Sequence, residues 1–156
     1  MCVTSANAVQ IVRNLPNQDI LFIPDKNLGR YVASQVPEKH VMLVKGCCPV
    51  HDQMCQKEVS GLKKIHPNAL VLAHPECNAQ VLEMADYIGS TTGILKYAAG
   101  STSREFIICT EIAERHELEQ QNPDKQFYFP DTEPICRDMK KITLDKIIHV
   151  LRTGQN

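Results

Sequence analysis

Short, almost uninterrupted runs of apolar residues recur along the chain, separated by longer stretches that mix apolar and polar residues. Runs this short and this apolar are typical of strands that are covered on both faces of a sheet. They predict strands at Ile20–Pro24, Val41–Val44, Leu70–His74, Phe106–Cys109 and Phe127–Phe129.

The mixed stretches between these runs have the length of helices. The last one starts at Thr143, a residue suited to cap a helix, and its apolar residues Leu144, Ile147, Ile148 and Leu151 share one helical face. Strands that alternate with helices favour α/β layers built on parallel sheets. The stretches predict helices at Ala6–Asn14, Leu28–Gln35, Lys57–Ile65, Ala79–Met84, Gly93–Ala99, Glu111–Gln121 and Thr143–Leu151.

Two parts of the chain resemble each other in the order of their predicted elements. The segment DILFIPDKNLGRYVA aligns with EFIICTEIAERHELE, and each is predicted to form a strand, a turn and a helix. Upstream of these segments Ser5 and Ser90 occupy equivalent turns, and downstream Cys48 and Cys136 follow equivalent strands. The alignment predicts two copies of one α/β unit, which we place at residues 1–69 and 70–156.

Composition narrows the class of protein. The 156 residues include 43% hydrophobic and 22% charged residues, close to the average of globular proteins, which excludes a disordered, collagen-like or coiled-coil chain. The formal net charge is −1, so we expect neither a nucleic-acid partner nor a membrane partner. The N-terminal sequence lacks the basic start and apolar stretch of a signal peptide, so we expect a cytoplasmic protein with reduced thiols.

The chain has seven cysteines, an odd number that cannot all pair within one chain. It contains no C-x-x-C sequence, which argues against a thioredoxin-like redox site or a zinc ribbon. We therefore expect a mixture of buried structural cysteines and metal ligands that lie far apart in sequence.

Six stretches together resemble the quinolinate synthase family, the iron–sulfur enzymes of NAD biosynthesis. The stretches occur in the family's order: CVTSANAV (Cys2–Val9), PDKNLGRYVA (Pro24–Ala33), GCCPVH (Gly46–His51), HPECNAQVLEMAD (His74–Asp86), GSTTGILKY (Gly89–Tyr97) and MKKIT (Met139–Thr143). The resemblance implies three-layer α/β/α domains in a pseudo-threefold arrangement around a [4Fe–4S] cluster, with one cysteine ligand from each domain. This chain resembles the second and third of these domains, and the first is absent from it.

The resemblance also implies roles for individual residues. Cys48 and Cys136 match the cluster ligands, and the third cysteine ligand is expected from the missing first domain. His51, His74 and Glu76 match catalytic residues, and the last two follow a predicted strand, at the end where α/β sheets place ligands. The residues that match substrate-binding positions are Ser5, Ser90, Thr91 and Met139.

A serine and a threonine at the start of a predicted helix independently suggest an anion site. Ser90 and Thr91 follow Gly89, and hydroxyls beside the free N–H groups of a helix start can bind a phosphate or a carboxylate. Plain capping of the helix is the simpler alternative, and the two are compatible.

The implied reaction condenses iminoaspartate with dihydroxyacetone phosphate to give quinolinate, with loss of phosphate and two waters. Because the first domain is absent, we expect this chain to be inactive alone or to need a separate chain that carries that domain. Two alternatives stay open. One is a non-catalytic remnant or scaffold, and the other is a zinc- or redox-binding protein that uses Cys47, Cys48, His51 and Cys55.

Overall fold

The strands form two parallel sheets. The structure, a computed structural model, describes residues 1–131 and 134–155. In the first sheet β1 (Asp19–Phe22) pairs in parallel with β2 (His40–Leu43). The strands of the second sheet are β3 (Leu70–Ala73), β4 (Tyr87–Ile88), β5 (Glu105–Cys109) and β6 (Gln126–Tyr128). Their order in the sheet is β4-β3-β5-β6, and all the pairs are parallel.

Helices connect the strands, as parallel pairing requires. They are α1 (Ala8–Asn14), α2 (Lys26–Gln35), α3 (Pro49–Asp52), α4 (Gln56–Ile65), α5 (Ala79–Leu82), α6 (Thr91–Gly100), α7 (Glu114–Gln121) and α8 (Leu144–Thr153), with a 3₁₀ turn at Met139–Lys141. This architecture confirms the predicted α/β class with short parallel sheets. Among the described residues, none of the helices has both the length and the apolar character needed to cross a membrane.

The second sheet is the middle of three layers. Successive side chains of a strand point to opposite faces. Accordingly, Val71 packs in a cluster with Val59 of α4 and Val81 of α5, whereas the next residue, Leu72, packs on the other face with Ile94 of α6. All five side chains are almost completely buried. Burial on both faces is why these strands are apolar without interruption.

The first sheet is covered on one face only within the described chain. Ile20 and Phe22 of β1 pack against α1 and α2, where Val32 is completely buried. On the opposite face Leu21 is 63% exposed and Ile23, just beyond the strand, is 62% exposed. The first sheet therefore has an apolar face without a covering layer in this part of the molecule.

The two halves have the same order of elements. In the first, α1-β1-α2-β2 leads to Cys48, and in the second, α6-β5-α7-β6 leads to Cys136. In both halves the two strands are parallel neighbours. Val59 of α4 precedes residue 70 but packs on the second sheet. The division at residues 1–69 and 70–156 stays a prediction.

Candidate functional site

Two histidines and a glutamate meet near the carboxyl end of the second sheet. His74 directly follows β3, and its backbone N–H donates to the Cys109 carbonyl at the end of β5 (3.0 Å). The His51 ring, on α3, stacks on the His74 ring with the centroids 4.4 Å apart. Glu76 Oε2 lies 3.2 Å from Nδ1 of His51 and 3.9 Å from Nδ1 of His74. The carboxylate therefore faces one nitrogen of each imidazole.

The other nitrogen of each ring is held by a hydroxyl. His51 Nε2 lies 3.2 Å from Thr110 Oγ1, and His74 Nε2 lies 3.1 Å from Ser5 Oγ. Both rings are buried, with 7% and 5% of the respective residues exposed. Among the described residues His51 Nδ1 has no aligned hydrogen-bond partner, although the Glu76 carboxylate is within ion-pair distance. The two rings are thus fixed in orientation by groups from distant parts of the chain.

Burial and charge set the protonation of this group. Burial lowers the pKa of His74 to about 4, and the neighbouring His51 acts in the same direction. The close contact with His51, and then the electrostatic influence of His74 and His51, lower the pKa of Glu76 even though its burial opposes this. At neutral pH Glu76 is therefore a carboxylate beside a neutral His74, an arrangement that can accept a proton from a bound molecule.

Cys48 lies beside this group at the start of α3. Potential ligand atoms of Cys48, His51 and Glu76 all lie within 4.8 Å of one another. Burial raises the pKa of the Cys48 thiol, and the charge of Glu76 adds to the effect. A metal ion would remove the thiol proton, because the thiolate is the ligand form. This part of the site can therefore bind a metal.

Cys136 faces the same open space as Cys48. Both cysteines line a cavity of about 730 Å³, together with Met54 of the loop after α3 and Arg137 of the Cys136 loop. Both thiols are free and partly exposed. Two soft sulfur donors on one cavity form a donor set that suits an iron–sulfur cluster.

The sequence of the chain matches one family over its whole length. The sequence profile of the family described as quinolinate synthetase A protein matches residues 1–156. The chain belongs to this family. Its curated relatives include the quinolinate synthases of Clostridioides difficile (44% identical over 99% of this chain), Caldicellulosiruptor saccharolyticus (48% over 95%) and Aquifex aeolicus (43% over 100%). The alignments cover 51%, 49% and 50% of these relatives, so the chain spans about half of their length.

The two serines that the family resemblance predicts to contact substrate line a second cavity. Ser5 and Ser90 both border a space of about 350 Å³, which Tyr31 and Tyr87 also line. Ser90 caps α6, since its Oγ accepts the Gly93 N–H at 3.1 Å. Capping is thus confirmed, and the cavity leaves room for an anion at the same helix start. The structure joins Ser5 to the histidines and, across this cavity, to Ser90.

The two other predicted substrate residues, Thr91 and Met139, are not among the described residues that line either cavity. Thr91 is the first residue of α6, next to Ser90. Met139 starts the 3₁₀ turn after Cys136 and is 51% exposed. Met139 is not among the described residues that line the cavity shared by Cys48 and Cys136. Its role as a substrate contact stays a prediction from the family.

Four other cysteines lie in the core or beside the site. Cys77 and Cys109 are completely buried, and burial raises the pKa of both thiols, that of Cys109 to about 12. Cys47 points to Asp52 (Sγ to Oδ2, 3.4 Å), and Cys55 precedes α4. The group of potential metal ligands that the structure describes thus joins Cys48 to Glu76 rather than to Cys47 or Cys55.

The residues that hold Glu76 and the cysteine loops were not predicted from the sequence. Asn27, which is 2% exposed, donates from Nδ2 to the Glu76 carbonyl (3.0 Å) and to Asp52 Oδ1 (2.7 Å). Asp25 and Glu111 are buried acids that accept hydrogen bonds from the cysteine loops. The sequence does contain one indication of these two acids, because the alignment of the two halves places Asp25 opposite Glu111.

Proposed function

We propose that this chain carries part of the active site of a quinolinate synthase, acting in NAD biosynthesis. In this reaction iminoaspartate condenses with dihydroxyacetone phosphate to give quinolinate and phosphate. The observation that carries the proposal is the position of Glu76, which faces Nδ1 of both His51 and His74 and lies beside a thiol that opens on the cavity of Cys136. The relatives named quinolinate synthase support it.

Cys48 and Cys136 would hold a [4Fe–4S] cluster in the cavity that they share. Their free thiols and the breadth of the cavity fit the group, and two thiolates leave room for a third protein ligand. When bound, the cluster supplies a Lewis acid for oxygen or nitrogen atoms of the substrate.

The chain's own residues would manage protons and orient the substrates. The Glu76 carboxylate accepts a proton from substrate carbon or nitrogen, and the stacked His51 and His74 keep it in place and exclude water. Ser5 and Ser90, on the smaller cavity, would bind a phosphate or carboxylate group at the start of α6, next to Thr91. Met139 would contact the substrate from the Cys136 side.

The chain spans about half the length of its relatives, so the proposal includes the part of the family's fold that lies outside the aligned region. We propose that a separate chain, with the family's first α/β unit, supplies the third cysteine ligand. A non-catalytic remnant is the alternative. The cytoplasmic location inferred from the sequence stays a prediction.

Anaerobic loading with iron and sulfide, followed by a quinolinate assay, tests the proposal. The chain alone should form no quinolinate, whereas a mixture with a polypeptide that carries the missing half should form it. In that mixture Glu76→Gln should lower turnover by about 100-fold or more. Glu83→Gln is the matched control, because Glu83 is an exposed acid seven residues further along the same segment. Turnover by the isolated chain would contradict the need for a partner.

A mononuclear metal site is the competing outcome. It is favoured by the 4.8 Å grouping of Cys48, His51 and Glu76, a set that suits zinc. Metal analysis after anaerobic preparation separates the two. Iron with sulfide would support the cluster, and stoichiometric zinc without iron would support the mononuclear site.

A further inference from the structure

The backbone N–H of each candidate cysteine ligand is bound by a buried carboxylate. The Cys48 N–H donates to Asp25 Oδ2 at 2.7 Å, and the Cys136 N–H donates to Glu111 Oε1 at 3.0 Å. Each acid is 6% exposed. Each also lies just after the first strand of its series of matched elements, β1 in α1-β1-α2-β2 or β5 in α6-β5-α7-β6. The same kind of bond thus occurs once in each half of the chain.

The second oxygen of each carboxylate binds the start of the following helical segment. Asp25 Oδ1 accepts the N–H groups of Asn27 (2.9 Å) and Leu28 (2.8 Å), which begin α2. Glu111 Oε2 accepts the N–H of Ala113 (2.7 Å), just before α7. Each carboxylate therefore joins a helix start to a cysteine loop.

A backbone hydrogen bond completes the correspondence. The residue after each acid donates its N–H to the carbonyl of the residue two positions before the cysteine. In the first half Lys26 donates to Gly46 (2.7 Å), and in the second half Ile112 donates to Pro134 (3.0 Å). The sequences of the two loops differ, yet the same set of hydrogen bonds holds each cysteine loop.

A buried carboxylate is a costly way to fasten a loop. Burial of a charge is unfavourable unless several hydrogen bonds compensate it, and a neutral acceptor would fasten the loop at a lower cost. A charged acceptor forms the stronger hydrogen bond and holds its donor in a narrower range of positions. The use of an acid in both halves indicates that the position of the cysteine backbone matters.

We propose that Asp25 and Glu111 are positioning residues, one for each metal-ligating cysteine. By holding the N–H group, each carboxylate fixes the loop so that the Cys48 or Cys136 thiol faces the shared cavity. The proposal rests on the proposed function in one respect, namely that these thiols ligate a metal. The positioning itself can be measured on the chain without metal.

Amide hydrogen exchange of the chain, labelled with ¹⁵N-cysteine, tests the proposal. Asp25→Asn keeps a residue that caps α2 well but removes the charge from the acceptor. Loss of a charged acceptor should speed exchange at Cys48 by about tenfold or more and leave Cys136 unchanged. Glu111→Gln should give the reverse pattern, so each variant is the control for the other. Glu119→Gln, an exposed acid of α7, should change neither cysteine.

Alkylation of the metal-free chain adds a second readout at the thiols. Asp25→Asn should be alkylated several-fold faster at Cys48, and Glu111→Gln several-fold faster at Cys136, because the loosened loop exposes that thiol. Mass spectrometry resolves the two sites. Equal changes at both cysteines, or no change at the cysteine of the altered half, would overturn the proposal. If one variant fails to fold, the pattern of the other decides. Failure to take up iron would count against the proposed function and leave these readouts valid.

Discussion

The loop that carries Cys48 has no room for a side chain at Gly46. A Cβ at this position would lie 2.3 Å from the carbonyl oxygen of Pro24, which is backbone and cannot rotate away. The Gly46 carbonyl also accepts the Lys26 N–H at 2.7 Å. In Gly46→Ala the two segments must therefore separate by about 1 Å to reach ordinary contact, which weakens this hydrogen bond.

The separation should lower the free energy of unfolding of Gly46→Ala by about 2–4 kcal/mol, from overpacking and one weakened hydrogen bond. Gly61→Ala is the matched control. Gly61 lies inside α4, and a Cβ there would meet nothing within 4 Å. Because alanine is the better helix former, this control should raise the stability by about 0.5–1 kcal/mol. The same substitution should thus lower the free energy of unfolding at Gly46 and raise it at Gly61.

Urea unfolding of the reduced chain, followed by far-ultraviolet circular dichroism, measures both changes. The midpoints should move in opposite directions with an unchanged slope. In Gly46→Ala the Cys48 amide should also exchange faster, because the loop bound to Asp25 has moved. A midpoint for Gly46→Ala within error of the unaltered chain would refute the reasoning from the Pro24 contact.

Three further predictions concern pH, packing and capping. The pKa of His74 is lowered to about 4 in the folded chain, so as the pH falls this imidazole takes up a proton in the unfolded chain before it does so in the folded chain. The free energy of unfolding should therefore fall by about 3 kcal/mol between pH 6.5 and pH 4. His74→Gln should flatten this part of a stability curve measured by urea unfolding. Val59→Ala should cost about 2 kcal/mol in the same assay because Val59 is completely buried, whereas Ile65→Ala, at a residue 71% exposed, should cost under about 0.5 kcal/mol. Ser90→Ala removes the acceptor of the Gly93 N–H and should lower the thermal midpoint by an amount equivalent to about 1 kcal/mol.

The strands were predictable wherever burial on both faces made them apolar. The run at Leu70–Ala73 and the run at Glu105–Cys109 differ from their predicted bounds by a residue at one end. The strand Tyr87–Ile88 was missed because two residues cannot show a period. The single-turn helix Pro49–Asp52 was missed for the same reason, although its proline suits a helix start.

The site was predictable in its residue types but not in its contacts. The resemblance selected His51, His74 and Glu76, yet nothing local indicates that the two rings stack. Their hydroxyl partners Ser5 and Thr110 are far away in sequence, so only the folded chain reveals them. Physical reasons for such contacts lie in tertiary packing, which a pattern along the chain does not record.

The two halves differ in how many layers cover their sheets within the described chain. In the alignment of the halves Leu21 corresponds to Ile107 and Ile23 to Cys109. Ile107 and Cys109 are completely buried under α4 and α5, whereas Leu21 and Ile23 are 63% and 62% exposed. Because each side chain is already partly covered, complete burial would add roughly 1–2 kcal/mol of hydrophobic stabilisation for each of them. The whole chain aligns with about half of each relative. In agreement with this, the first half has the side chains of a three-layer unit but only two layers in the described chain.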